Sequence, residues 1–123
     1  MTATATSTFE VSTGDGSVVL YTWSLTTANP DGAPISAVEW ADRTWQVTGT
    51  FGGATLQPQG SNDGVNWFPL SNAAGGAAVS LTVASGVATI ELPRYVRPNL
   101  TTVGVGAVLT ATLCARRAQP LRA

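Results

Sequence analysis

The segment from Arg43 to Leu70 constrains the fold more than any other part of the chain, because apolar and polar residues alternate in it between turn signals. Trp45 and Val47 share one parity, and the residues between and beside them, mostly threonines, share the other. Successive side chains of a β-strand point to opposite faces, so this part predicts a strand with one apolar and one threonine-rich face. An apolar face of this kind needs a second layer of structure to cover it.

Two turn signals divide this segment into three predicted strands. Gly52-Gly53 and Asp63-Gly64 fit tight turns, since glycine accepts positive φ without steric cost. The first strand is expected to end near Phe51, the second to run from Ala54 to Gln59, and the third from Val65 to Phe68. Together the three strands predict an antiparallel meander.

Alternating stretches elsewhere in the chain predict six more strands. They are expected at Ser17 to Thr26, Ile35 to Trp40, Val79 to Val83, Val87 to Leu92, Arg94 to Leu100 and Ala107 to Ala115. Pro98 should lie at a sheet edge or a strand end, because proline cannot donate a hydrogen bond to the ladder. Turns are expected at Ala41-Asp42 and at Ala84-Ser85-Gly86. No segment keeps a helical period, so the sequence predicts an all-β sandwich or barrel with no substantial helix.

The length of 123 residues is enough for one domain with a real core and too short for two. Residues 9–115 are expected to form this β-sandwich domain. Met1 to Thr8, a threonine- and alanine-rich stretch, is expected to be a flexible arm, which either adds a strand to a neighbouring protein's sheet or is an untethered disordered terminus. Arg116 to Ala123 is expected to be a fraying basic tail. The arm's candidate partner-contact residues are Thr2, Thr4, Thr6 and Thr8.

The charge balance argues against nucleic acid as a partner. Seven acidic and six basic residues give a formal net charge of -1, whereas a general nucleic-acid binder needs a basic face. No apolar run reaches the ~18 residues of a membrane span, and the N-terminus lacks the pattern of a signal peptide. We therefore expect a protein made in the cytoplasm of the cell that produces it. The single cysteine, Cys114, cannot form an intrachain disulfide and is expected to be a small core residue.

The residue types present make catalysis an unattractive hypothesis. Histidine and lysine are absent, which removes the usual general acid–base group at neutral pH and amine nucleophiles. Cys114 has no histidine to activate it. Asp31, Asn62 and Asp63 offer oxygen ligands for calcium, but their spacing favours turn-capping over a metal site. The sequence predicts neither an enzyme nor a cofactor or metal site.

Aromatic and arginine side chains are the remaining candidates for partner contact. Trp45 and Trp67 lie on predicted strands and are expected in the core. Trp23 and Trp40 lie near predicted strand ends, where core and contact roles are equally open. The guanidinium groups of the arginines can bind carboxylates or carbonyls of another chain, or clamp a loop of their own. The candidate contact arginines are Arg94, Arg97, Arg116 and Arg117.

Part of the sequence resembles discoidin-like jelly-roll domains. The motifs that carry this resemblance, within residues 54–100, are Gly60 to Gly64, Asn66-Trp67 and Pro93 to Pro98. The resemblance implies a jelly-roll-like antiparallel sandwich and, as one alternative, a carbohydrate-binding module of a phage fibre or adhesin. It does not extend to the first half of that family's pattern, so no ligand-loop residue is assigned from it.

A second resemblance covers more of the chain. The order Trp45 to Val47, Gly49 to Phe51, Gln59 to Gly64, Trp67 and Arg94 to Pro98, between a Thr/Ala arm and an arginine tail, resembles small capsid decoration (cement) proteins of tailed bacteriophages. The resemblance implies a non-enzymatic structural protein that binds the major capsid protein on the outer surface of the virion. It also implies self-association, as a homotrimer or, failing that, a dimer.

Overall fold

The polar and apolar alternation produces strands throughout the part of the chain that the structure, a computed structural model, describes: residues 4–5, 7–11, 18–36 and 40–117. Within these ranges there are eleven strands and no helix. The strands are β1 (Thr4–Ala5), β2 (Ser7–Val11), β3 (Val18–Thr26), β4 (Asp31–Gly32), β5 (Ile35–Ser36), β6 (Trp40–Thr50), β7 (Thr55–Ser61), β8 (Phe68–Pro69), β9 (Ser85–Ala88), β10 (Tyr95–Thr102) and β11 (Val108–Arg117).

The strands form two sheets that pack against each other. Sheet I has the order β1-β4-β10-β7-β8, with β5 also paired to β10, and sheet II has the order β2-β3-β11-β6-β9. The pairings among the described strands are antiparallel except for the short parallel pair of β1 with β4. The predicted all-β sandwich is therefore confirmed.

The core between the sheets follows the predicted parity in β6, and β11 alternates in the same way. Trp45 and Val47 are buried, and so are Leu109, Ala111 and Leu113, while the residues between them face outward. Trp23 of β3 stacks on Trp45 with ring centroids 5.8 Å apart. Offset aromatic packing of this kind adds to the free energy gained from burying two large apolar surfaces.

The predicted meander is wrong, because its first two strands belong to different sheets. Both edges of β6 are already paired, with β11 and β9, so β7 cannot join it. The chain instead crosses to sheet I at Gly52-Gly53, where both glycines have positive φ, 59° and 88°. A Cβ on Gly52 would lie 2.1 Å from the carbonyl oxygen of Val105, so this crossing requires glycine. The second hairpin does form, with Gln59 and Gly60 opposite Pro69 and Phe68. Its second strand is Phe68–Pro69 and not the predicted Val65 to Phe68.

Two predicted turns are parts of strands. Asp42 has φ of 49° and lies in a bulge of β6, where the register with β11 shifts between Cys114 and Arg116. Asp tolerates the left-handed conformation better than most residues, and a bulge takes up one extra residue without ending the strand. Ser85 and Gly86 pair with β6 as part of β9. These residue types favour a turn locally, but pairing with the two edges of β6 stabilises the extended conformation more.

Pro98 lies in the interior of sheet I, so its predicted edge position is wrong. β10 pairs with β7 on one side and with β4 and β5 on the other. Across the ladder, Pro98 faces Pro58. Partners in an antiparallel pair alternate between bonded and non-bonded positions, and two facing prolines fit the non-bonded one, where neither needs an N–H. On its other side Pro98 packs against Gly32, at the junction of β4 and β5.

The other predicted strands are shorter in the structure or end at different residues. The predicted Ile35 to Trp40 strand gives β5 and the first residue of β6, and residues 37–39 lie outside the described part. Val79 to Val83 contributes only an isolated bridge, between Leu81 and Leu56. The strand predicted from Val87 ends at Ala88 as part of β9.

Cys114 and the chain ends also differ from the predictions. Cys114 is exposed, because it has the outward parity of β11, and its expected role as a core residue is wrong. β11 continues through Arg116 and Arg117, which were expected in a fraying tail, and residues 118–123 lie outside the described part. In the expected arm, Thr4–Ala5 and Ser7–Thr8 pair with strands of the same chain.

Candidate partner-binding faces

The structure assigns Trp23, Trp40 and Trp45 to the core. Trp23 is fully buried, and its indole N–H donates to the carbonyl of Ala33 at 2.9 Å. Trp40 is 7% exposed and lies under the guanidinium of Arg117, 4.9 Å from the ring centroid. Neither Trp23 nor Trp40 offers a ring to a partner, so the contact alternative is wrong for both. The core prediction for Trp45 is confirmed.

Trp67, expected in the core, is only half-buried. It precedes β8. Gln59 of β7 points outward from sheet I, and Pro69 of β8 lies opposite it. Trp67 has the same parity as Pro69, so it also lies on the outer side of sheet I. The guanidinium of Arg97 stacks on the Trp67 ring, with its central carbon 4.2 Å from the ring centroid. A cation over an indole face is attracted by the ring quadrupole, and the contact holds the guanidinium in one plane.

We call Trp67 and the outward side chains of β7 and β10 around it the donor face; the members on these two strands are Gln57, Gln59, Arg97 and Asn99. Cross-strand pairing sets Arg97 opposite Gln59, and Asn99 opposite Gln57. Arg97 Nε donates to Gln59 Oε1 at 3.0 Å, and Gln59 Nε2 donates to Gln57 Oε1 at 2.9 Å. Desolvation lowers the pKa of the Arg97 guanidinium, and the nearby carboxylate of Asp31 opposes that shift.

The outer side of sheet II carries a different surface, which we call the threonine face. Its register places Thr112 between Thr22 and Gln46, and Thr110 between Ser24 and Thr48. Its members, Thr22, Ser24, Thr44, Gln46, Thr48, Thr110, Thr112 and Cys114, are all uncharged.

The threonine face is bounded by a groove and by charge. An open groove of about 380 Å³ runs along its β9 side, lined in part by Thr44, Gln46 and Ser85. Charged side chains occur at one end of the face, at Asp42 and Arg116. Between the groove and these charges the surface is short, regular and neutral.

The remaining predicted contact residues do not form one site. Arg94 is exposed and lies over the Tyr95 ring at 5.1 Å, while its backbone N–H donates to Asn62 Oδ1. Arg116 and Arg117 are exposed at the end of β11. Thr4 and Thr8 pair through their backbone with Asp31 and Thr22. Thr2 and Thr6 lie outside the described residues.

Arg43 is a structural residue that the sequence did not single out. Its side chain is 2% exposed, and its Nε donates to the carbonyl of Trp40 at 3.0 Å. Its Nη groups donate to the carbonyls of Glu91 and Pro93 at 3.5 and 3.4 Å. Desolvation lowers the pKa of this guanidinium to about 10. Arg43 follows the bulge residue Asp42, and a bulge can turn a side chain inward; the sequence pattern carried no other signal for this.

Asp63 serves the turn that the sequence indicated. Its carboxylate accepts the backbone N–H groups of Val65 and Asn66 at 2.8 Å each, together with the Asn66 amide and the Ser61 hydroxyl. These bonds hold the pKa of Asp63 well below its usual range. Within the described ranges no group of three acidic, cysteine or histidine residues is placed to hold a metal ion.

The described residues contain no helix with the length and apolarity that crossing a membrane requires. Comparison with known proteins adds no family assignment. The chain matches no family model, and no curated protein is significantly similar to it.

Proposed function

We propose that this chain is a non-enzymatic structural protein that decorates the outer capsid surface of a tailed bacteriophage and stabilises contacts between capsomers. The proposal rests on the resemblance in the sequence and on one structural observation, the uncharged threonine face of sheet II. In this proposal the major capsid protein is the partner, the virion is the location, and the two-sheet sandwich has jelly-roll connectivity.

The threonine face suits docking because covering it has a low desolvation cost. Interface cores are depleted in charged residues, and a charge buried without a partner costs far more than a hydroxyl that finds one. Threonine adds a methyl group for packing beside each hydroxyl. The pleat of β3, β11 and β6 spaces these side chains about 4.8 Å apart across strands and about 7 Å along them.

The same face is too small to hold a partner by itself, which favours several contacts per particle. Three strands about 4.8 Å apart and roughly 20 Å long cover a few hundred Å², against about 800 Å² per partner in a standard interface. Several subunits docked together gain avidity without a larger face. A trimer, or failing that a dimer, therefore remains part of the proposal.

Exposed apolar side chains supply a candidate surface for that self-association. Five of the seven large exposed apolar residues in the described part fall between residues 65 and 92, around the edge strands β8 and β9. These are Val65, Phe68, Val83, Ile90 and Leu92. Edge strands with apolar neighbours are surfaces that proteins usually cover.

A capsid-decoration assay tests the proposal. Undecorated capsids of the phage that encodes the chain are incubated with the purified protein, and bound protein is quantified after sedimentation. We expect stoichiometric binding, and a loss of at least about tenfold when Thr48→Glu and Thr110→Glu place two carboxylates on the threonine face. Thr101→Glu, at an exposed threonine near the end of β10 in the other sheet, is the matched control. Failure of the unmodified protein to bind any such capsid contradicts the capsid function.

A carbohydrate-binding module is the second candidate, and the donor face favours it. Sugar recognition uses planar polar groups beside a partly exposed aromatic ring. Trp67 and the carboxamides supply these groups, on a sheet face instead of the loop-end cleft that the discoidin resemblance implied. Arabinose-agarose or mixed-glycan retention of the protein, without capsid binding, would favour this candidate over the first.

A further inference from the structure

We propose that the donor face is a binding site for a carboxylate-bearing carbohydrate, with the Arg97 guanidinium on the carboxylate and the neighbouring carboxamides and Asp31 on the sugar hydroxyls. This activity is separate from capsid docking, because the two faces lie on opposite sides of the sandwich. It deepens the second candidate function, the carbohydrate-binding module, and rests on it.

The hydrogen-bond chain across the donor face has only one possible direction. A guanidinium has no acceptor, so the atom of Gln59 that meets Arg97 Nε must be its oxygen. The Gln59 nitrogen must then donate, and the atom of Gln57 that receives this bond, 2.9 Å away, must also be an oxygen. The Gln57 Nε2 group is left pointing away from the chain. The arginine thus fixes the orientations of both amides.

As a result the site presents hydrogen-bond donors and few acceptors. Among the described residues, the two Nη groups of Arg97 and the Nε2 of Gln57 bond no protein acceptor. The Asn99 Oδ1 atom is buried and meets no donor there, so the exposed atom of that amide is its nitrogen. Three adjacent side chains therefore offer N–H groups to solvent. A ligand oxygen, and a carboxylate above all, is the complementary group.

Arg97 is held in the geometry that bidentate recognition of a carboxylate needs. Its Nε is bonded to Gln59, and its plane is stacked on Trp67, so rotation of the fork is restricted. A guanidinium ordered before binding loses less conformational entropy when it pairs with an anion. The two Nη groups are the part of the fork left for the ligand.

Asp31 makes the site selective for a sugar acid over other anions. It lies opposite Asn99 in the register of β4 and β10, and within the described residues no donor bonds its carboxylate. This negative group next to Arg97 disfavours phosphates and other multiply charged ligands by repulsion. A hydroxyl donor satisfies it, so the site fits a ligand with one carboxylate and adjacent hydroxyls, as in a hexuronic acid.

The size of the site agrees with a single sugar residue. Facing side chains on neighbouring strands have Cβ atoms about 5 Å apart, and successive outward side chains on one strand lie about 7 Å apart. The four positions of Gln57, Gln59, Arg97 and Asn99 span that area, with the Trp67 ring along one border. An acidic peptide can supply the carboxylate but lacks the ring of hydroxyls for Asp31 and the amides.

Calorimetric titration of the full chain tests the proposal with three probes: a hexuronate oligosaccharide, its methyl ester, and an acidic peptide. The ester keeps every hydroxyl and removes the charge. We expect the hexuronate to bind, and the ester and the peptide to bind at least about tenfold more weakly, since hydrogen bonds to charged groups are the strong ones. Equal binding of acid and ester, tighter binding of the peptide, or no binding of hexuronate at millimolar concentration would each overturn the proposal.

Two pairs of variants locate the binding. Arg97→Lys keeps the charge but removes the fork, and it should weaken hexuronate binding about tenfold or more, while Arg94→Lys leaves it unchanged. Gln57→Glu replaces an outward donor with a carboxylate and should abolish binding, while Gln46→Glu on the threonine face has no effect. Melting curves establish that each variant is folded. If either control variant loses as much affinity as its partner, the site is not on the donor face.

Discussion

The two outer faces of this sandwich arise from the same strand geometry and differ in what their side chains do for one another. On the threonine face, short side chains stand in rows across β3, β11 and β6. On the donor face, longer side chains are joined from Arg97 through Gln59 to Gln57. A surface of short neutral groups adapts to a partner at low cost, whereas a linked surface is ordered before the partner arrives and is selective for chemistry.

The largest expected effect tests the register on which this comparison depends. Trp45→Ala should lower the free energy of unfolding by about 3–5 kcal/mol, because it removes a fully buried ring and its bond to Thr89. Thr48→Ala, three residues further along the same strand and facing outward, should change it by less than about 0.5 kcal/mol. Chemical denaturation of both variants measures the difference. Equal losses would mean that the outward face of β6 has been misassigned.

A second variant tests the crossing that separates the two faces into different sheets. Gly52→Ala should cost about 1–3 kcal/mol, since alanine is strained at φ of 59° and its Cβ meets the Val105 carbonyl. Gly76 has a similar positive φ of 77° but open space around it. Gly76→Ala, the matched control, should therefore cost less in the same thermal melts. A smaller loss at Gly52 than at Gly76 would contradict the tight crossing.

Acid should weaken the segments that flank the donor face before it affects the threonine face. Desolvation alone would raise the pKa of Glu91, but hydrogen bonds from Ser71 outweigh it, and the pKa of Glu91 is lowered from 4.5. Four hydrogen bonds lower the pKa of Asp63 in the same way. A depressed folded-state pKa gives stability that is present above the unfolded value and lost as the pH falls through the folded value. Unfolding free energy should thus decline below about pH 4.5.

Two substitutions test whether the Glu91 carboxyl causes this loss of stability in acid. Glu91→Gln should flatten the pH dependence below about pH 4.5, because the group that titrates is removed. Thr101→Ala, an exposed threonine at the end of β10 with no ionisable group, offers a control and should leave the slope unchanged. Hydrogen exchange read by segment shows whether residues 61–72 open first. An unchanged slope in the Glu91 variant would exclude this carboxyl as the cause.

The smallest expected effect concerns the arginine stack itself. Arg97→Met keeps most of the side-chain volume and should cost only about 1 kcal/mol, because a partly exposed cation–π contact contributes about 0.5–1 kcal/mol. The emission of Trp67 should change at the same time, since its neighbouring charge is gone. Arg117→Met, over the buried Trp40, is the comparison. A loss of several kcal/mol at Arg97 would show that the donor face is chiefly structural.

Local patterns in the sequence were sufficient to predict strands in which alternate side chains are buried and exposed. The alternation around Trp45 predicted the buried and exposed sides of β6, and this is confirmed. The all-β class followed from the same periodicity. These predictions succeed because one face of a strand must be covered and the period of two leaves few alternatives.

Pairing between segments that are distant in the chain could not be predicted from the sequence. The prediction of a meander is wrong because β6 pairs with β9 and with β11, which lies some sixty residues later in the chain. No local sequence signal indicates that these strands compete with β7 for the edges of β6. Pro98 was placed at an edge because nothing in the sequence shows that Pro58 lies opposite it. The donor face was only half visible: Arg97 was named as a contact residue, but Trp67 was expected in the core and Gln57 and Asn99 carried no motif.

Cys114 gives the native protein its own footprinting probe. It is the chain's single cysteine, it is exposed, and it stands between Leu20 and Thr44 on the threonine face. A thiol-specific alkylating reagent therefore reports the accessibility of this face by mass spectrometry, with no engineered residue and one modification per chain. Protection of the thiol in decorated particles, against rapid labelling of the free protein, would map the docked side directly. Equal labelling in both states would turn attention to the opposite sheet.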